Sequence, residues 1–283
     1  MPPVKLIFVL GMLGMHVLVA AADHARTGEG DRAFEKRTFE KRTHYPSGRL
    51  YEVRHFVDGR EEGLQQAWTE DGRLYINYEM RNGRRYGVIN PRPCPAATAK
   101  PGAGAAAGLP YYDDADFTPR WRPVTHEIAD FQLIAQDGRP IRRGDLRGRV
   151  HIASFIFTQC AGICPSVIAR LGKVHAALAT RPDAVLLSFS VTPAADTPAA
   201  LAAFGAARGI DPARWKLVTG DAAQIDRLAR GSYFADDDRQ ASHTEKALLV
   251  DRRGHLRGVY NATLPYEIDK LLTDLDALLQ SGE

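Results

Sequence analysis

In the stretch FTQCAGICPSV, Cys160 and Cys164 stand four positions apart and Pro165 follows the second. Three chemistries suit such a pair. The thiols could close a disulfide and exchange it with a partner, although three intervening residues make a wider and looser ring than two would. As thiolates they could hold a soft metal ion, given a third ligand nearby. Left protonated and buried, they would pack as small apolar side chains. The only other cysteine is Cys94, in PRPCP. Three is too few, and odd, for a framework of structural disulfides, so cysteines in this chain are better read as kept for chemistry.

A metal site needs a further donor. Thiolate with imidazole suits copper in either oxidation state, or zinc. The histidines beyond residue 109 are His126, His151, His175, His243 and His255. His126 precedes an early strand, His151 opens a strand, His175 lies within a helix and His255 falls at a hairpin turn. His243 differs, because DDDRQASHTEKALLVD places it just before an apolar strand. Asp236 to Asp238 read either as a solvated loop or as groups that could orient that imidazole.

The elements that must position these residues alternate along the chain. VHIASFIF (150–157) is a buried strand and Pro165 to Ala179 a helix. AVLLSFSV (184–191) is a second strand, followed by a helix that Asp196 or Thr197 could cap with Pro198 at its first position. WKLVTGD (215–221) gives a third strand and Ala222 to Arg230 a short helix. KALLVD (246–251) and LRGVYN (256–261) flank the turn Arg252-Arg253-Gly254, and a last helix covers 265–280. This order predicts an α/β fold, a thioredoxin-like sandwich. The cysteine pair then falls at a strand-to-helix turn, where backbone N–H groups and the helix dipole favour thiolate. Thioredoxin-type enzymes generally carry a cis-proline beside that turn. Here no proline occurs between Pro212 and Pro265, and a histidine stands in its place, which tips the reading from disulfide exchange toward metal binding.

The N-terminal part reads differently. Leu6 to Ala22 is apolar apart from His16, Lys5 is the only charge before Asp23, and Ala20 to Ala22 offer small residues for cleavage. Residues 1–22 therefore read as a secretory signal peptide, with an uncleaved membrane anchor as the rival. Either places the rest outside the cytoplasm: periplasmic or otherwise extracytoplasmic, free or held at the inner membrane. Residues 23–44, with FEKRT twice in succession, read as a disordered lead-in. Residues 45–90 contain a repeat with an offset of 24, which carries Gly48, Gly59 and Gly63 onto Gly72, Gly83 and Gly87. Asp58-Gly59 and Asn82-Gly83 predict hairpin turns, hence a small all-β hairpin-repeat region with a structural or docking role. Residues 91–108 are a Pro/Ala/Gly linker and 109–283 the sandwich. A formal charge of +3 gives no footprint for nucleic acid.

Residues 109–280 resemble the Sco/SenC family of thioredoxin-like copper proteins associated with cytochrome c oxidase assembly. The resemblance rests on LPYYDDADFTPRW, FIFTQCAGICPSV, SVTPAADTPAALAAF, RWKLVTGD and LARGSYFADDDRQASHTEKALLVDRRGHLRGVYNAT, in that order. It implies copper, Cu(I) or Cu(II), held by Cys160, Cys164 and His243. It also implies a metallochaperone that passes copper to an oxidase subunit, at its dinuclear copper centre, or to another cuproprotein. The alternative is a thiol–disulfide reductase acting through Cys160 and Cys164, served by a thiol reductant. A peroxidase would need an arginine near the reactive cysteine, for which the sequence offers only Arg170. Thr192 stands where many family members carry Asp, Cys94 is additional, and the repeat region, which resembles MORN-type variants, is not part of the family's usual core.

Overall fold

The computed structural model describes residues 37–45, 47–89, 108–159, 164–235 and 245–282. The expected signal segment, most of the lead-in, the linker with Cys94, and the positions of Cys160, Asp236 to Asp238 and His243 lie outside them. No described helix is long and apolar enough to cross a membrane.

The N-terminal sheet contains β1 (Thr38–His44), β2 (Leu50–Val57), β3 (Arg60–Glu61), β4 (Gly63–Trp68), β5 (Leu74–Arg81) and β6 (Arg84–Ile89). Its order is β1-β2-β4-β5-β6, with β3 also on β2, and every pairing is antiparallel. The repeat is visible in the strands, since β2 and β5 start at equivalent leucines. The predicted turns form as expected: Asp58 and Gly59 have φ of 50° and 77°, Asn82 and Gly83 of 52° and 73°. Such positive values suit the tight turns that match strand twist.

The disordered lead-in is corrected at its end, because Thr38–His44 is strand β1, paired with β2 along its whole length. Nearly all its residues are exposed, so no buried face imposes an apolar period on the sequence. Backbone pairing and the stacking of Phe39 on Phe56, with centroids 4.8 Å apart, hold it in place.

The second sheet follows a different plan. It contains β7 (Gln132–Ala135), β8 (Pro140–Arg142), β9 (Val150–Ile156), β10 (Ala184–Ser190), β11 (Trp215–Thr219), β12 (Lys246–Val250) and β13 (Leu256–Asn261), in the order β13-β12-β9-β10-β11-β7-β8. β9, β10 and β11 run parallel, joined by crossovers through α1 (Cys164–Ala177) and α2 (Pro198–Ala206). α3 (Ala222–Arg227) and α4 (Pro265–Ser281) complete the layers. Every residue of β9, β10 and β12 is buried, as a strand covered on both faces requires. Ile152, Ile156 and Leu186 face a core with Leu171 of α1 and Leu271 of α4, while Phe155 and Phe189 face another with Ile225 of α3. This is the expected α/β sandwich.

Candidate metal centre

β9 delivers the chain to the cysteine motif. Beyond Ile156 the backbone still pairs with the neighbouring strand end, because Val191 N–H donates to Ile156 O at 2.9 Å. Thr158 comes next, two residues before Cys160. Cys164 opens α1 and is buried, 5% exposed. Pro165 occupies the first turn, where the missing N–H costs nothing. That turn carries no acidic residue, so no carboxylate opposes a thiolate there.

β12 lies beside β9 and antiparallel to it, with Leu248 opposite Ala153 and Val250 opposite His151. The chain therefore enters β12 at the same end of the sheet where it leaves β9. Glu245, two residues after His243, sits at that entry, its carbonyl accepting from Ala262 N–H at 2.6 Å. The buried Lys246 donates from Nζ to Ala235 O at 3.2 Å, so Ala235 lies beside the entry to β12. Topology thus brings the described flanks of both predicted ligand segments to one end of two adjacent strands.

The other histidines are engaged elsewhere. His151 is buried at the far end of β9 with Nε2 3.0 Å from the Tyr233 hydroxyl, and burial pushes its pKa down to about 3. His126 Nε2 lies 2.9 Å from Ser232 O and its ring lies tilted against Phe234, with centroids 4.6 Å apart. His175 Nε2 accepts from Asp211 N–H at 3.2 Å, and burial lowers its pKa. His255 is held by Asp251 on one side and the Tyr111 ring on the other. Among the described residues no group of His, Cys, Asp and Glu is arranged to hold a metal ion. A cavity of about 60 Å³ opens between β6, β13, α4 and the entry to β12 at Glu245 and Lys246, and there Arg85 already pairs with Glu267.

Sequence reasoning gave Asp196 and Thr197 as alternative caps for α2. Thr197 is the cap, its hydroxyl accepting from Ala200 N–H at 3.3 Å, and Pro198 follows it. Asp196 has another place. It is 1% exposed and directed at the strand ends beside the cysteine motif. A cap-like dipeptide does not reveal which residue turns inward, so nothing in the sequence separated the two. Thr192 belongs to the same cluster, donating from its hydroxyl to Asp196 Oδ2 at 3.2 Å.

Residues 121–280 match the profile of the family described as SCO1/SenC. A SCO1 protein homolog of Bacillus subtilis is 30% identical over 160 residues, spanning 54% of this chain and 83% of its own. A Stutzerimonas stutzeri protein named for copper binding is 30% identical over 168 residues, spanning 56% of this chain and 80% of its own. The solved structure of BsSco is described as a member of the Sco family of cytochrome c oxidase assembly proteins with a disulfide switch. It is 29% identical, with a TM-score of 0.51 over 56% of this chain and 96% of that one. A SCO1/SenC family lipoprotein of Bacillus anthracis is 27% identical, with a TM-score of 0.50 over 56% of this chain and 98% of that one.

Proposed function

The chain belongs to the SCO1/SenC family, and from that premise we propose that it is an extracytoplasmic copper metallochaperone using Cys160, Cys164 and His243. Copper is its cargo. The observation that supports the reading is the convergence of the described flanks of both ligand segments at one end of the adjacent strands β9 and β12, with Cys164 seated at the start of α1. Two thiolates match the softness of Cu(I), and a neutral imidazole completes a three-donor set without adding charge. Three donors leave the ion open to attack by an incoming ligand. Release proceeds by exchange: an acceptor thiolate or imidazole binds as one donor of this chain leaves. The acceptor is the dinuclear copper centre of a terminal oxidase subunit or another cuproprotein.

Thiol–disulfide exchange is the second reading, favoured by the disulfide switch described for BsSco. One of the two thiolates would attack a partner disulfide and the other would resolve the mixed disulfide. The partner gains two electrons, Cys160 and Cys164 become a disulfide, and a thiol reductant restores them. The two activities exclude one another at any instant, since copper requires both thiols reduced.

Anaerobic titration of the reduced chain with Cu(I) tests the primary reading. One tightly bound copper, abolished by Cys160→Ser with Cys164→Ser and at least tenfold weaker in His243→Ala, is the expected result. Absence of stoichiometric binding, together with a readily reduced Cys160–Cys164 disulfide, transfers the function to thiol exchange.

A further inference from the structure

We propose that Asp196 is the positioning residue of the copper site, fixing the turn that leads into Cys160; the inference rests on the copper reading above. The Asp196 carboxylate gathers four donors. Oδ2 accepts from Thr158 N–H at 3.1 Å, from the Ser190 hydroxyl at 2.6 Å and from the Thr192 hydroxyl at 3.2 Å. Oδ1 accepts from the Thr158 hydroxyl at 2.5 Å. These donors belong to three places: the exit from β9, the end of β10 and the turn that follows it. All four are neutral, and among the described residues the carboxylate forms no ion pair.

An almost fully buried carboxylate without a counter-charge is costly unless its hydrogen bonds are complete. Capping does not explain its presence, because the adjacent Thr197 already caps α2. What the carboxylate does is grip Thr158 twice, through backbone and side chain, two residues before the first cysteine. The far end of the motif is fixed separately, by Cys164 buried at the start of α1. Asp196 thereby fixes the entry to the cysteine motif at Thr158, and preorganisation of this kind raises affinity without a new metal contact.

The two bonds to Thr158 predict that an amide can replace the carboxylate. In Asp196→Asn the amide oxygen can accept from Thr158 N–H while the amide nitrogen donates to the Thr158 hydroxyl. Asp196→Asn is therefore the conservative variant, Asp196→Ala removes the anchor, and Thr158→Val removes only the hydroxyl half of it.

The test compares Cu(I) affinity, measured by competition with a chromogenic chelator, with the hydrogen-exchange rate of the Thr158 amide in the copper-free reduced protein. Asp196→Ala is expected to weaken Cu(I) about tenfold and to accelerate exchange at Thr158 selectively. Asp196→Asn should stay within about threefold of the parent in affinity, and Thr158→Val should fall between. Parent-like affinity in both Asp196→Ala and Thr158→Val overturns the proposal. If Asp196→Ala does not fold, Thr158→Val decides: unchanged affinity and exchange overturn it. If the parent itself binds no copper, the copper reading has failed. The Thr158 exchange rate then decides the anchoring alone, and protection in Asp196→Ala equal to the parent's refutes it.

Discussion

In the N-terminal sheet each strand pairs with one close to it in sequence, whereas in the seven-stranded sheet β9 lies between β10 and β12, about thirty and ninety residues further along. The first arrangement closes on itself hairpin by hairpin and leaves most side chains half exposed. The second is held by crossovers and buries whole strands on both faces. Only the second brings distant segments together at strand ends, and there Thr158 bonds to Asp196 and the chain enters β12 beside the end of β9. A hairpin array can be extended by repetition, but it gathers nothing that was not already adjacent.

The two sheets are nonetheless joined. Arg84 and Arg85 at the start of β6 pair with Asp274 and Glu267 of α4. The Tyr260 hydroxyl also donates to Asp274, at 2.7 Å. Asn77 Nδ2 donates to Asp116 O and to the Thr118 hydroxyl, both at 2.7 Å, and Trp121 Nε1 to Glu79 at 2.7 Å. Tyr86 of β6 sits edge-on to Trp121 and belongs to the same core as α1 and α4. We propose that the repeat sheet braces the edge of the sandwich at β13 and α4, a structural role realised within the chain.

Removing Arg84 breaks this joint most severely. Asp274 is 2% exposed, and Arg84→Ala leaves a buried carboxylate without its cation, which costs about 3 kcal/mol. Chemical denaturation should show that loss for the sandwich as well as the repeat sheet. A cost below about 1 kcal/mol, as for a surface pair, would mean that the two sheets are independent.

Two glycines at different steps of the hairpin plan, one inside strand β6 and one in a turn, give the next contrast. A Cβ on Gly87 would lie 2.4 Å from Asn77 O, at a φ of 110°, whereas Gly59 faces open space at 77°. Gly87→Ala should cost about 2 to 3 kcal/mol and Gly59→Ala about 1 kcal/mol, measured by the same denaturation. Equal costs would show that the β5–β6 pairing relaxes freely.

The core of the sandwich should respond to mild acid through His151. Burial holds the His151 imidazole at about 3 against an ordinary 6.5. Between those values the unfolded chain binds a proton that the folded one refuses, so stability falls as pH falls. The step from pH 6.5 to 5.5 should cost about 1 kcal/mol, and His151→Phe should flatten that part of the profile. An unchanged slope in the variant would assign the acid response to other groups.

The smallest effect belongs to β1. Phe39 is 53% exposed, so Phe39→Ala removes a stacked pair worth about 0.5 to 1 kcal/mol. A loss above 2 kcal/mol would give this edge strand a larger part in the repeat sheet than its exposure suggests.

How much of this was legible depends on where each signal comes from. The turns at Asp58-Gly59 and Asn82-Gly83 could be read because a local dihedral demand selects the residue type. The strands β9, β10 and β12 could be read because burial on both faces leaves an unbroken apolar run. β1 could not, since an exposed edge strand imposes no pattern. The ion pairs of Arg84 and Arg85 with α4 join residues about 190 positions apart and look like ordinary surface charges in the sequence. The cysteine pair was conspicuous by type and spacing, and His243 by its place before an apolar strand. Asp196 was visible only as half of a capping dipeptide, because its inward rotation depends on where Thr158 and Ser190 lie in space.

X-ray absorption at the copper edge of the Cu(I)-loaded chain, recorded beside the loaded His243→Ala variant, tests the ligand set most directly. Two sulfur donors and one imidazole nitrogen in the parent, with the nitrogen lost in the variant, are the predicted result. A sulfur-only shell, or identical spectra from the two proteins, would contradict it.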